Sequence, residues 1–267
     1  MPIGIFDSGI GGLTAVQELE RLVPDADFIY FGDTARLPYG TRSEFVINKY
    51  AMQDCRFLKT QNVDAVLVAC GTVSSNSLQL LKQTFSMPIV GVIDSAVEKA
   101  VDIAQKGNGI ISVLGTGATI KNGAFEKTIK KIDPNLKVLS KACPMFVPLV
   151  ENGYTNKNDT ITILAAKEYL EEIIPQKPSA VILGCTHYPL LSEIISDLLP
   201  ESRLINSSAE AVHELLSVMK KKNIPLTKTN NKKFYVSDDV EMFCSNAKTF
   251  LNGYNLSDVK KLDIEAY

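Results

Sequence analysis

The chain has 267 residues, 45% apolar and 22% charged, and its 28 basic and 30 acidic side chains leave a formal charge of −2. That length buries a core without staples, and the composition excludes extended disorder. The balanced charge lacks the basic excess that drives binding to a phosphate backbone, so nucleic acid is not an expected partner. No apolar run approaches the ~18 residues of a membrane span, and Met1 leads almost at once into Ile3–Phe6 with no signal-type region. Neither a membrane nor export is expected, and the cytoplasm is the expected compartment. The cysteines (Cys55, Cys70, Cys143, Cys185 and Cys244) are odd in number and widely spaced, form no CxxC pair, and are accompanied by only two histidines. This disfavours a disulfide scaffold or a structural zinc site and leaves reduced thiols.

Short apolar or β-branched runs bounded by Gly, Asp or Pro predict strands at Ile3–Phe6, Phe28–Phe31, Ala65–Ala69, Ile89–Ile93, Ile110–Leu114, Leu136–Leu139, Ala180–Leu183, Arg203–Ile205 and Lys233–Val236. Between them, helical spacing predicts inward faces of Leu13, Val16, Leu19 and Leu22, then of Ile47, Ala51, Cys55 and Leu58. Further on it predicts faces of Ile161, Ala165, Tyr169 and Ile173, and of Leu191, Ile194, Ile195 and Leu198. The polar stretch Lys220–Lys233 reads as a solvated loop, and Phe243, Ala247, Phe250 and Leu251 read as a final helix. Alternating strands and helices predict an α/β fold with parallel sheets.

The two halves echo each other. Ile3–Phe6 leads into Asp7-Ser8-Gly9, and a later strand ends at Cys70-Gly71-Thr72; Ile111–Leu114 leads into Gly115-Thr116-Gly117, and a later strand ends at Gly184-Cys185-Thr186-His187. If the echo is a duplication, two similar lobes face each other with their carboxyl strand ends, outside which ligands bind in open α/β sheets.

Cys70 and Cys185 each close an apolar strand and precede a helical stretch, where unpaired helix N–H groups lower a thiol pKa and welcome an anion. Pro189 suits a first helical turn. His187 stands two residues from Cys185, close enough to relay a proton or to be a hydrogen-bonded turn residue. Asp7 reads either as a ligand-facing carboxylate or as a helix cap. Cys55, Cys244 and Cys143 read as structural, and His213 as a surface residue. Gly9, Gly11 and Gly12 suggest a dinucleotide fingerprint, but Thr14 occupies the position of its third glycine. Gly115-Thr116-Gly117 lacks the Lys-Ser/Thr ending of a P-loop; Thr116 and Thr119 remain candidate hydroxyl donors to a small anion.

With these positions assembled, the chain resembles the cofactor-independent glutamate racemases nearly end to end. The motifs are Gly4-Ile5-Phe6-Asp7-Ser8-Gly9-Ile10-Gly11-Gly12-Leu13-Thr14, Tyr30-Phe31-Gly32-Asp33-Thr34-Ala35-Arg36-Leu37-Pro38-Tyr39-Gly40, Ala69-Cys70-Gly71-Thr72, Gly115-Thr116-Gly117-Ala118-Thr119-Ile120, Pro148-Leu149-Val150-Glu151 and Leu183-Gly184-Cys185-Thr186-His187-Tyr188-Pro189-Leu190-Leu191. The His after Cys185-Thr186 favours glutamate, because the otherwise similar aspartate racemases more typically carry Glu there.

The resemblance implies two parallel-sheet lobes in pseudo-twofold arrangement, residues 1–94 with 208–267 carrying Cys70 and residues 95–207 carrying Cys185, with the active site in the cleft between them. It implies no cofactor and no metal. It implies interconversion of L- and D-glutamate by thiols on opposite faces of the substrate Cα: Cys70 with Asp7 nearby acting on D-glutamate, Cys185 with His187 nearby acting on L-glutamate, and Glu151 as a secondary acid–base residue. Asp7, Ser8, Pro38, Tyr39, Gly40, Gly71, Thr72, Thr116, Thr119, Thr186 and His187 are the expected substrate contacts. Gly71 departs from the commoner family pattern, in which Asn follows the first cysteine, and replaces a side-chain contact with backbone. The implied role is supply of D-glutamate for bacterial peptidoglycan. Homodimers are common in the family, and the first strand at Ile3 leaves no room for the N-terminal extension that some relatives link to activation by a wall precursor. An aspartate racemase, a one-cysteine decarboxylase, a dicarboxylate-binding module and a thiol hydrolase remain as alternatives.

Overall fold

The computed structural model describes residues 1–251, 256 and 258–267. Its central strands are continuous apolar runs because both faces of each are covered, as parallel pairing requires. In chain order the first part comprises β1 (Ile3–Asp7), α1 (Leu13–Leu22), β2 (Phe28–Gly32), α2 (Glu44–Thr60), β3 (Ala65–Val68), α3 (Gly71–Thr84), β4 (Ile89–Gly91) and α4 (Asp94–Lys106). Then come β5 (Ile110–Gly115), α5 (Gly117–Asn122), α6 (Ala124–Ile132), β6 (Lys137–Ala142), α7 (Phe146–Glu151), α8 (Thr160–Leu170), β7 (Ala180–Leu183), α9 (Ser192–Leu198) and β8 (Arg203–Asn206). The chain closes with α10 (Ser207–Lys221), β9 (Lys232–Val236), α11 (Val240–Phe250) and β10 (Val259–Lys261).

Among the described residues all strand pairs are parallel, in two sheets of order β10-β9-β2-β1-β3-β4 and β6-β5-β7-β8. The arrangement β2-β1-β3-β4 in one sheet is repeated as β6-β5-β7-β8 in the other, so β1 corresponds to β5 and β3 to β7. The echo seen in the sequence is thus an echo of topology, and the two cysteines follow corresponding strands. The central strands β1, β2 and β3 are wholly buried, whereas β6 and β10 present exposed residues at the outer edges.

One apolar cluster crosses from sheet to sheet. It includes Ile5, Val16 and Leu67 on one side with Leu114, Val181 and Tyr188 on the other, and Val212 of α10 between them. Asn206 caps α10, accepting from the N–H groups of Ser208 and Ala209 at 3.0 and 3.1 Å, so the chain turns back from β8 directly into the helix that packs on α1 and α4. Among the described residues no helix is long and apolar enough to cross a membrane.

All nine predicted strands form. β10 escapes the strand pattern because Val259-Lys260-Lys261 is short and polar. The inward face of α8 is displaced by one residue from its predicted position. Thr162, Ala166 and Leu170 are buried, while Ile161 is 51% exposed. The helix carries apolar residues on several faces, so spacing alone does not fix its rotation. We predict that Ile161→Ser stays within about 0.5 kcal/mol of the parent, whereas Leu170→Ala costs about 2–5 kcal/mol. Urea unfolding midpoints check both, and the reverse order would refute the observed face.

Candidate active site

The carboxyl ends of β1, β3, β5 and β7 converge on a cavity of about 470 Å³ lined from both halves, by Ser8, Pro38, Tyr39, Gly40, Cys70, Gly71 and Thr72 on one side and Thr116, Glu151, Cys185, Thr186 and His187 on the other. This lies within the usual range of small-ligand sites. Leu37, Thr41, Gly117, Pro144, Val147 and Pro148 complete the wall. Of the expected site residues, Asp7 and Thr119 do not line it. Asp7 is fully buried behind Ser8; its Oδ2 accepts from the Gly9 N–H at 2.9 Å, and its Oδ1 has no hydrogen-bond partner among the described residues. It does not cap α1, whose cap position is Gly12. Thr119 is buried with its hydroxyl 3.0 Å from that of Thr116, which is in turn 2.9 Å from that of Thr72. This chain of hydroxyls crosses the cleft.

The two cysteines differ in setting. Cys70 is the cap residue of α3, 5% exposed, with its thiol 3.5 Å from Ser8 Oγ. The expected lowering by the helix end is present, through the Val73 N–H, but it is outweighed. Burial foremost and the Asp7 carboxylate next push the thiol up to about 12, against the lowering effects of Ser8 and the Val73 N–H. Cys185 does not cap an α-helix at all. A 3₁₀ turn, Tyr188–Leu191, follows it, because Pro189 has no N–H with which to close an α-helical bond back to Cys185.

The Sγ of Cys185 lies 3.8 Å from His187 Nδ1, and His187 Nε2 lies 2.9 Å from Glu151 Oε1. Phe250 of α11 meets the imidazole edge to face, ring centroids 5.4 Å apart. Burial opposes a charge on this ring, but hydrogen bonds to Cys185 and Glu151 and their charges outweigh it and raise His187 to about 10. Asp7 is raised by burial, opposed by the His187 charge and the N–H groups of Gly9 and Gly12.

A second buried network, not anticipated from sequence, holds the Pro38–Gly40 wall. Arg36 pairs with Asp33 at 2.6 Å and Asp54 at 2.9 Å, donates to Gln53 at 2.6 Å and lies 4.1 Å from the centre of the Tyr50 ring. Glu265, near the carboxyl terminus, reaches the same guanidinium at 3.1 Å. The Tyr39 hydroxyl donates to Asp33 and, at 3.2 Å, to Asp54, so it is committed away from the cavity and only the rest of Tyr39 faces a ligand. Burial and the flanking carboxylates push that phenol well above its ordinary value, keeping it a neutral donor. The signal available in the sequence was the spacing of Asp33 and Arg36 around one helical turn.

The glycines after β1 have a steric role. A Cβ on Gly11 would lie 2.1 Å from Thr186 Oγ1 and 2.5 Å from His187 Nδ1, and one on Gly12 would lie 2.6 Å from Asp7 Cβ. Gly11 admits the turn that carries Thr186 and His187, and Gly12 leaves room for Asp7 and Tyr30.

Chemically, the cavity offers two thiols, a cationic imidazole–carboxylate pair, and hydroxyls and N–H groups from several strand ends. No Lys or Arg is among its lining residues. An anionic ligand is therefore held by neutral donors and by His187.

The family described as Asp/Glu/Hydantoin racemase matches residues 10–215. The chain is 43% identical over 244 residues to a glutamate racemase of Persephonella marina, covering 91% of this chain and 90% of that protein. It is 38% identical over 267 residues to a glutamate racemase of Geobacter metallireducens, covering 99% and 97%. The crystal structure of the Francisella tularensis glutamate racemase in complex with D-glutamate superposes with a TM-score of 0.92 at 36% identity, covering 100% of this chain and 98% of that one. An aspartate racemase of Picrophilus torridus, at 20% identity and a TM-score of 0.54, shares the fold.

Two predictions follow from the ionised groups. Arg36→Met leaves Asp33 and Asp54 without their buried cation and is expected to cost about 3–5 kcal/mol in urea unfolding. His187 is raised in the folded state, so its pairing stabilises fully below about 6.5 and is lost as pH rises through about 10. Melting temperatures taken across that window should fall for the parent relative to His187→Gln; parallel curves would refute the pairing.

Proposed function

The chain belongs to the glutamate racemases of the Asp/Glu/Hydantoin racemase family, and we propose that it interconverts L- and D-glutamate by a two-base proton transfer in the cleft between its sheets. The observation that supports this is the placement of Cys70 and Cys185 on the same cavity from corresponding strand ends of the two sheets.

With L-glutamate bound, the Cys185 sulfur takes the Cα proton, and the Cys70 thiol delivers its own proton to the opposite face. With D-glutamate the roles reverse. A cation on His187, 3.8 Å from Cys185, stabilises the thiolate form of that sulfur, which is the base toward L-glutamate and the form left after it protonates the carbanion made from D-glutamate, and Glu151 holds the ring in place. At neutral pH Cys70, pushed up to about 12, stands as the thiol. Asp7, itself raised by burial, is the neighbouring carboxyl able to exchange a proton with it.

The intermediate carbanion is strongly basic, and each tenfold acceleration takes about 1.4 kcal/mol from its barrier. The hydroxyls of Ser8, Thr72, Thr116 and Thr186 and the first N–H groups of α3 are the donors that hold the carboxylates and spread this charge. Five free cysteines call for a reducing compartment, so the reading places the enzyme in the cytoplasm, supplying D-glutamate for peptidoglycan.

The test is loss of optical activity from each pure enantiomer. The parent chain is expected to racemise both without added cofactor. Cys70→Ser and Cys185→Ser are each expected to lose on the order of 10²–10⁴-fold or more in racemisation, since a single base returns the proton to the face it left. A single variant that keeps most of its turnover would overturn the two-base assignment.

A further inference from the structure

The final 3₁₀ turn, Ile264–Ala266, is remote in sequence from the cleft, yet it packs on α2. Ile264, 3% exposed, lies in the apolar cluster that also holds Tyr39 and Cys70, and the Tyr267 ring meets Phe57 of α2 edge to face with centroids 5.4 Å apart. The backbone between these anchors is fixed as well, because Asp263 caps the turn by accepting from the Glu265 N–H at 3.0 Å. Glu265 is thereby held against α2.

Its carboxylate closes a ring of hydrogen bonds. Oε1 accepts from Arg36 Nη1 at 3.1 Å and Oε2 from Gln53 Nε2 at 3.3 Å, while Gln53 Oε1 accepts from the same Arg36 Nη1 at 2.6 Å. The other donors of Arg36, Nε and Nη2, go to the buried carboxylates of Asp33 and Asp54, so Glu265 supplies the opposing negative charge on the Nη1 side. Lys49 reaches Glu265 at 3.7 Å, with both side chains more than half exposed. Asp33 Oδ2 accepts from both Arg36 Nε and the Tyr39 hydroxyl, and Asp54 takes the same two groups on its two oxygens. The seat of the guanidinium therefore sets the seat of Tyr39. Gly40 follows with it, and packs so closely on the other half that a Cβ there would stand 3.0 Å from Thr116 Cβ.

We infer that Glu265 is a positioning residue for substrate binding, acting through Arg36 and the Tyr39 hydroxyl on the Tyr39–Gly40 wall of the cleft. The inference rests on the reading of that cleft as a glutamate site. A wall that holds the substrate alike before and during the reaction governs KM and leaves kcat unchanged. An ion pair with one exposed partner is weak, so its loss is worth roughly two- to five-fold.

Glu265→Ala and Glu265→Gln test it, each with the circular dichroism of the folded parent and each assayed on both enantiomers. KM should rise roughly two- to five-fold in Glu265→Ala with kcat kept within about two-fold, and should rise less in Glu265→Gln, whose amide oxygen still accepts from Arg36. Amide hydrogen exchange of residues 36–42 should quicken in Glu265→Ala while that of β5 stays parental. Tyr39→Phe lacks the hydroxyl that transmits the hold, so adding Glu265→Ala to it should raise KM no further. Parental KM and exchange in Glu265→Ala overturn the inference, as does a fall in kcat at parental KM or a KM effect that multiplies with that of Tyr39→Phe. Failure of both Glu265 variants to fold also overturns it, since Glu265 would then be a folding requirement. The exchange measurement decides the matter if Tyr39→Phe does not fold. A parent chain that inverts neither enantiomer overturns the glutamate reading itself, while exchange still reports whether Glu265 holds the wall.

Discussion

The two sheets are held carboxyl edge to carboxyl edge by an apolar cluster that belongs to neither alone, and the geometry of the cleft depends on it. The cluster is apolar, so polar groups that border it must be satisfied where they stand. Tyr30 donates to Gly9 O at 2.8 Å, Tyr188 donates to Gly115 O and Cys143 O at 3.1 and 2.8 Å, and Ser207 donates to Leu183 O at 2.6 Å. Each bond ties a strand end or the loop behind it to the core. The cavity is consequently framed by backbone whose position is set from below.

The same burial governs the charges. It raises Cys70 and Asp7 by disfavouring their anions, and it would strip His187 of its proton were Glu151 and Cys185 not beside it. The Arg36 network follows a similar rule at the cavity wall, where a guanidinium is enclosed only because two buried carboxylates enclose it. Burial at one end and the neighbours Cys185 and Glu151 at the other thus separate the two ends of the cleft chemically, one favouring a neutral thiol and the other a cation.

Much of the fold was legible in the sequence, because parallel strands buried on both faces leave uninterrupted apolar runs and the intervening helices carry clear periodicity. The rotation of α8 was not, since Ile161, Ile163 and Leu164 supply apolar residues around several sides of that helix. Most of the cavity lining was legible through motifs at strand ends. The setting of each residue was less so. Local spacing does not reveal that the Tyr39 hydroxyl turns inward to Asp33, that Phe250 braces His187 from the far end of the chain, or that Glu265 reaches Arg36. These contacts join positions far apart in the chain, and only the closed fold brings them together.

The unlike surroundings of the two thiols carry a thermodynamic consequence. The enantiomers of an amino acid have equal free energy in water, so their equilibrium constant is unity and kcat/KM must be the same in both directions. A site flanked by Asp7 and Ser8 on one face and by His187 and Glu151 on the other cannot treat mirror images alike at every step. Whatever advantage this asymmetry confers in turnover on one enantiomer must be returned, in equal proportion, as a weaker hold on it.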